Sequence, residues 1–210
     1  ASCIIIEGGD RRDLTPSNHY ISHCNLHHFA QIQRVYKPAI LLEGVRQSVR
    51  ESHIHHAPHQ GIRVNGNNHT IEYNEFSHLA LESGDVGVVY SGREWNFRGN
   101  VIRNNYFHNL EGTGKLGAVA VYMDDLGSGF TITGNIFYKC HKAVQIGGGR
   151  DIIVSNNMFI SCRTAVKIDN RGENTAKNQA SPGGSWRMTD KLNAVPVRSL
   201  TYGKAFPELA

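Results

Sequence analysis

A chain of 210 residues is long enough for one domain with a sizeable core, and its 40% hydrophobic content is typical of folded proteins. The net charge of +4 comes from basic residues scattered among acidic ones, so the sequence predicts no nucleic-acid partner. No apolar run approaches the roughly 18 residues that a membrane span needs, so no membrane partner is predicted either.

Short segments that end in an apolar residue recur along the chain. Their last residues lie 22 to 31 positions apart, at 26, 54, 76, 107, 137 and 159. A base period near 22 residues with occasional insertions predicts stacked coils, because an insertion can loop out on one side of a stack. A second strand is predicted after each segment, starting at Ala39, Gly61, Val88, Ala120, Ala143 and Ala165.

Equivalent positions of these second strands form columns with constant character. Two columns are mostly apolar and are predicted to face inward: Ile40, Ile62, Val89, Val121, Val144 and Val166, and Leu42, Val64, Ser91, Met123, Ile146 and Ile168. Two others are mixed and mostly polar, and are predicted to face solvent: Leu41, Arg63, Tyr90, Tyr122, Gln145 and Lys167, and Glu43, Asn65, Gly92, Asp124, Gly147 and Asp169. Without helical patterns or hairpin turns between them, these strands predict an all-β parallel β-helix rather than a sandwich.

Several polar residues also follow the repeat. Asparagines at 74, 105, 135 and 157 predict an inward amide ladder at a corner of the coil. The four cysteines are predicted to stack as small apolar residues, and Cys3, Cys24, Cys140 and Cys162 do not suit a disulfide framework. His28, His56 and His78 share a column beside His27 and His55, which is typical of a surface ladder more than of a zinc site.

The repeat defines two parts of the chain. Residues 1–175 are predicted to form the coils, and residues 176–210 an irregular, extended C-terminal segment that crosses the stack. Neither end shows a cap, which would leave strand edges and apolar core exposed. We therefore expect the sequence to be part of a longer β-helical protein.

One stretch stands out from the repeat. From Glu82 to Trp95 it carries Asp85 between two glycines, then an apolar run, Tyr90 and Gly92-Arg93-Glu94-Trp95. The next repeat carries a related pattern in Tyr122-Met123-Asp124-Asp125. These paired acidic motifs are the strongest functional signal in the sequence.

Together with Tyr36-Lys37-Pro38-Ala39, Ile54-His55-His56-Ala57-Pro58-His59 and Gly147-Gly148-Gly149-Arg150-Asp151, these motifs resemble the right-handed parallel β-helix proteins of glycoside hydrolase family 141 and its unclassified bacterial relatives. The resemblance covers about residues 2–175 and parts of the tail. It implies a secreted or periplasmic enzyme acting on plant or host polysaccharides. It also implies that Asp85 and Asp124 are the catalytic carboxylates, with Asp125 a competitor for the second role.

Glycoside hydrolysis needs two carboxyl groups that flank the bond, and a retaining pair lies about 5–5.5 Å apart. Adjacent coils stack about 4.8 Å apart, so carboxyls on neighbouring coils can form such a pair. Around this pair, substrate-binding roles are predicted for Glu43, His59, Tyr90, Arg93, Trp95, Tyr122 and Arg150, with the two tyrosines as a sugar platform. No metal ligands and no cofactor are predicted, with calcium left as an alternative for Asp124 and Asp125.

Two other functions remain open at this stage. A polysaccharide lyase on the same fold would need a Lys, Arg or His base, and Lys167 and Arg63 face outward, but no basic cluster surrounds Asp85. A non-catalytic glycan-binding or structural β-helix would show outward aromatics and amides without converging carboxylates. The separation and surroundings of Asp85 and Asp124 distinguish these readings.

Overall fold

A computed structural model describes residues 2–209, which form three parallel sheets wound into one stack of coils. Within this range sheet A contains β1 (Ile4–Gly8), β4 (Ile40–Val45), β7 (Ile62–Asn67), β10 (Val86–Gly92), β13 (Ala118–Asp124), β16 (Lys142–Gly147) and β19 (Thr164–Asp169). Sheet B contains β2 (Tyr20–Ser22), β5 (Ser48–Arg50), β8 (Thr70–Glu72), β11 (Asn100–Arg103), β14 (Phe130–Thr133) and β17 (Ile153–Ser155). Sheet C contains β3 (Asn25–His27), β6 (His53–His55), β9 (Glu75–Ser77), β12 (Tyr106–Leu110), β15 (Ile136–Cys140) and β18 (Met158–Ile160).

The register of sheet A confirms the predicted columns. The outward residues pair in the order Leu41, Arg63, Tyr90, Tyr122, Gln145, Lys167. Glu43 pairs with Asn65, and Gly92 pairs with Asp124. The inward columns are buried in one continuous core except at β19, where Val166 and Ile168 are exposed. The predicted all-β parallel β-helix is therefore confirmed.

Burial of the inward columns fixes this register. A slip of one residue would turn every core side chain towards solvent, and each fully buried aliphatic side chain contributes about 1.5–3 kcal/mol. Sheet C adds stacked rings of Phe76, Phe107, Phe137 and Phe159, whose centroids lie 4.6 to 5.3 Å apart. Like residues therefore lie on like residues from coil to coil.

The corner between sheets B and C carries the predicted asparagine ladder. In the ladder of Asn74, Asn105, Asn135 and Asn157, each asparagine donates its backbone and side-chain N–H groups to the amide oxygen of the next one, at 2.9 to 3.1 Å. The preceding residue of each corner has left-handed backbone, and only Gly134 adopts it without strain. The ladder offsets that strain by satisfying the corner's buried polar groups.

Replacing Asn105 by alanine is expected to lower the free energy of unfolding by about 3 kcal/mol, because it leaves the buried Asn74 N–H and the Asn135 Oδ1 short of partners. Urea unfolding followed by circular dichroism measures this loss. Asn157→Ala is the matched control, since Asn157 ends the ladder and is only half-buried, and it should cost less. Equal losses at the two positions would contradict a cooperative ladder.

The tail contains short helices, where the sequence predicts an irregular, extended segment. They are α1 (Lys177–Ala180), α2 (Met188–Asn193), α3 (Leu200–Ala205) and 3₁₀ turns at Arg171–Glu173 and Pro207–Leu209. In α3, the Ser199 side chain caps the Tyr202 N–H. None of the helices formed by residues 2–209 is long and apolar enough to cross a membrane.

The tail runs back along the stack from its last coil to its first. Lys191 Nζ donates to the Arg93 carbonyl at 2.7 Å, and the Asn96 amide donates to the Lys191 carbonyl at 2.8 Å. Further on, the Tyr202 hydroxyl donates to the Arg11 carbonyl. An apolar cluster of Val195, Tyr202 and Phe206, joined by Val197 and Leu209 of the tail, packs against Leu14 of the coils.

The structure also shows where the repeating histidines and cysteines lie. His28, His56 and His78 stack in one column, and His27 stacks on His55 at 5.0 Å. All four cysteines are free. Cys24, Cys140 and Cys162 pack within or against the core as predicted, whereas Cys3 is exposed.

Candidate active site

Tyr122, on the outward side of β13, lies at the centre of the acidic motifs. Its hydroxyl accepts a hydrogen bond from the Gln145 amide at 3.2 Å and lies 3.4 Å from both terminal nitrogens of Arg171. Burial raises the pKa of Tyr122, and the charges of Asp124 and Asp85 raise it further. The charges of both predicted catalytic aspartates therefore raise the pKa of the same phenol.

Asp124, the last residue of β13, and Asp125, which follows it, lie in a cluster of charged side chains. Arg171 lies 2.6 Å from Asp124 and 3.2 Å from Asp125, and its other terminal nitrogen lies 2.7 Å from Asp169. Arg93, which was predicted to bind substrate, contacts Asp125 at 2.8 Å. The Tyr90 hydroxyl donates to Asp124 at 3.1 Å.

Charge in this cluster is not balanced. Three carboxyl groups share two guanidinium groups, so full ionisation leaves one excess negative charge. Burial raises the pKa of Asp124, and the adjacent Asp125 charge raises it further, against the hydrogen bonds from the tyrosines and the charge of Arg171. In contrast, hydrogen bonds from Arg171 lower the pKa of Asp169. Asp124 is thus the cluster member whose surroundings favour holding a proton.

Asp85 has very different surroundings. It lies in the turn before β10, with left-handed backbone, and its N–H donates to the Gly117 carbonyl at 2.8 Å. Its side chain is exposed, and within residues 2–209 it makes no hydrogen bond or ion pair. Burial lowers the pKa of Lys142, and the charge of Asp85 partly offsets this shift. Asp85, in the turn before β10, and Asp124, at the end of β13, therefore have different surroundings, although the charges of both raise the pKa of Tyr122.

The predicted sugar platform of stacked tyrosines is wrong for Tyr122. The two rings meet edge to face, 6.0 Å apart at 89°, and Tyr122 is only 2% exposed. Arg171, two residues after the end of β19, lies 6.0 Å from the Tyr122 ring and beside its hydroxyl. Tyr90 is half-buried, and Arg63 lies 5.9 Å from its ring.

The remaining predicted substrate-binding residues fall into separate places. Trp95 and Arg150 line one cavity of about 660 Å³ between the coils and the tail, where Asp169 also lies. The Glu43 side chain accepts from Asn65 at 3.0 Å and lines a second cavity. His59 lies in the turn before β7, buried against Tyr36 with an unpartnered Nδ1, and burial lowers its pKa to about 4.

Sequence reasoning missed Arg171, the central cation of the site. It follows Asp169 by two residues, at the point where the repeat is lost. Its guanidinium reaches back two coils, from beyond β19 to the end of β13. The available signal was the outward column that ends in Asp169, which collects acids at Asp124 and Asp169 without a cation in the column itself.

The carboxyl cluster and the histidine columns contain residue types that can bind metal ions. Among residues 2–209, no group of three or more His, Cys, Asp or Glu side chains has the arrangement needed to hold a metal ion. The histidine columns instead form stacked rings and paired imidazole nitrogens, such as His55 Nδ1 with His56 Nδ1 at 2.7 Å.

Three parallel sheets, constant columns and the asparagine ladder define a parallel β-helix protein with a cluster of carboxyl and guanidinium groups on the outward side of sheet A. A family model described as "right handed beta helix region" matches residues 38–181, and the chain belongs to this family. Comparisons with curated proteins and with solved structures find no match.

Proposed function

We propose that the chain is the core of a glycoside hydrolase that cleaves a polysaccharide on the outward face of sheet A. The observation that carries this proposal is the contrast between two carboxyl groups beside Tyr122. Asp124 is partly buried with a raised pKa, whereas Asp85 is exposed and unpaired. Two carboxyls whose surroundings differ in this way suit acid and base roles.

In this mechanism Asp124 donates its proton to the glycosidic oxygen as the bond to the anomeric carbon breaks. Asp85 attacks that carbon and forms a glycosyl ester, which water then hydrolyses with Asp124 as base. Asp125 is the weaker candidate for the acid, since Arg93 and Arg171 both bind it. The motifs that resemble glycoside hydrolase family 141 support the same pair of aspartates.

The substrate class follows from the site's shape and chemistry. The outward side of sheet A carries polar side chains on successive coils, and two cavities open beside it, which suits an extended glycan. We propose an oligo- or polysaccharide substrate, no resident metal or cofactor, and a secreted or periplasmic location, where such polymers are met.

The lyase alternative needs a base that is free of its proton. The Arg171–Tyr122 contact would be the natural place for a phenolate base. Burial and the neighbouring aspartates raise the pKa of Tyr122, so its hydroxyl keeps its proton at neutral pH. This disfavours proton abstraction by Tyr122 and leaves hydrolysis as the better supported chemistry.

Incubation with nitrophenyl glycosides and a panel of neutral and uronic polysaccharides tests the proposal. We expect release of nitrophenol or new reducing ends without unsaturated uronate absorbance. Unsaturated products would establish the lyase instead. Binding of glycans by folded protein without any cleavage would identify the glycan-binding alternative.

A further inference from the structure

A second cavity, of about 310 Å³, opens on the outward face of sheet A. It lies over the ends of β4, β7 and β10, where it reaches Gly92, the partner of Asp124 in the sheet, and Lys191 of the tail contributes to its wall. Its polar lining consists of Arg11, Glu43, Arg63, Asn65, Glu94 and Lys191. Glu94 was not among the residues to which the sequence analysis gave a role.

Two buried polar atoms of this lining have no hydrogen-bond partner among residues 2–209. They are Oε1 of Glu94, a residue that is only 8% exposed, and Nε of Arg63. Burial raises the pKa of Glu94, while the charges of Lys191 and Arg11 lower it. Buried polar groups in folded proteins are nearly always hydrogen-bonded, so this unpaired acceptor and this unpaired donor in one cavity are available to a bound molecule that can both donate and accept.

The other polar groups of the cavity are already engaged. Arg11 donates to the side chains of Asn67 and Asn96, and Lys191 donates to the Arg93 carbonyl. Asn65 donates to Glu43. Glu94 and Arg63 are thus left free to contact a bound molecule.

We propose that this cavity is a subsite for a neutral sugar, recognised by Glu94 and Arg63 through its hydroxyl groups. One hydroxyl can donate to the Glu94 carboxyl while it accepts from the Arg63 guanidinium. Arg11 and Lys191 also line the cavity, but both already donate to protein groups, so the free pair is one carboxyl and one guanidinium. A sugar carboxylate could accept from Arg63 but would be repelled by Glu94, whereas a neutral hydroxyl can bind both. The lining therefore favours a neutral ring over a uronate.

The subsite lies in line with the proposed reaction centre. Arg63 pairs with Tyr90, whose hydroxyl binds Asp124, and Glu43 shares the outward column of Asp124 three coils away. Three coil steps span about 14 Å, which is longer than one sugar ring. If the proposed hydrolase function holds, the same oligosaccharide occupies both places, and the subsite selects its neutral residue.

Binding of free sugars tests the subsite separately from catalysis. The probes are D-glucose, D-galactose, D-xylose, L-fucose and D-glucuronic acid, followed by saturation-transfer NMR and titration with the full chain. We expect at least one neutral sugar to bind, Glu94→Leu or Arg63→Met to weaken it by about tenfold or more, and Glu94→Gln, which keeps an oxygen acceptor, to retain most of the binding.

Asp124→Asn should bind the same sugar as the unaltered chain, so a failure of the proposed aspartate chemistry would leave this result intact. Circular dichroism confirms folding of each variant, and Arg63→Met carries the test if Glu94→Leu does not fold. The proposal is overturned if no neutral sugar binds, if only glucuronic acid binds, or if Glu94→Leu and Arg63→Met bind like the unaltered chain.

Discussion

Replacing Asp124 by asparagine is expected to lower kcat for glycoside cleavage by about 10³-fold, the typical contribution of a general acid. Asparagine keeps the shape of the side chain and an acceptor for the Tyr90 hydroxyl, but it cannot supply the proton that the leaving oxygen needs. The assay is steady-state cleavage of the best nitrophenyl glycoside or polysaccharide found in the activity screen.

The pH profile of the unaltered chain gives an independent check on Asp124. A general acid works only while protonated, so activity falls as pH rises through its pKa. Since burial and the Asp125 charge raise that pKa, the fall should come above the range of an ordinary aspartate. Asp169→Asn is the matched control, because Asp169 binds the same Arg171 but has no proposed proton to give. An Asp124→Asn variant with normal kcat would remove Asp124 from the mechanism.

Arg171→Met is expected to lower the free energy of unfolding by about 3 kcal/mol at pH 7, because it leaves partly buried carboxylates without their shared cation. Arg171 also covers Tyr122 and links the last coil to β13. Urea unfolding measures the loss. Arg103→Met is the control, since its pair with Glu72 is exposed on the arginine side and should be worth about 1 kcal/mol or less.

The loss should shrink as the pH falls. Without Arg171, the folded-state pKa of Asp124 rises further above its unfolded value, so its ionisation opposes folding at pH 7 and its protonation at lower pH removes that cost. In the unaltered chain, Arg171 depresses the pKa of Asp169, and the stability this provides disappears as the pH falls through that depressed pKa. A pH-independent loss would indicate that Arg171 acts through packing alone.

Much of the fold was predictable because the repeat acts on every coil at once. Aligning six strands placed Tyr90 beside Tyr122 and Gly92 beside Asp124, and the register agrees. The asparagine ladder was predictable for the same reason, since a buried amide at one corner needs an identical partner one coil away. Periodicity turns weak single-residue preferences into a reliable pattern.

The site was less predictable because its decisive contacts leave the repeat. Arg171 reaches Asp124 from beyond the last strand, and Lys191 approaches Arg93 from 98 positions away. Neither contact could be predicted from the columns of equivalent strand positions. The burial of Tyr122 under Arg171 could not be seen from the strand pattern, which assigned the tyrosine correctly to the outward side but left it uncovered.

Because the tail returns to the first coil, we expect this molecule to unfold differently from a linear stack of coils. In a linear stack each coil touches only its neighbours, so the terminal coils fray and stability is a sum of local terms. Here the Tyr202 hydroxyl bonds Arg11 across 191 positions of sequence, so loosening the first coil also loosens the segment that steadies the last. The tail acts as a strap that makes fraying at either end cooperative. Such a long closure also forms late in folding, because its entropic cost is met only once the intervening coils are in place.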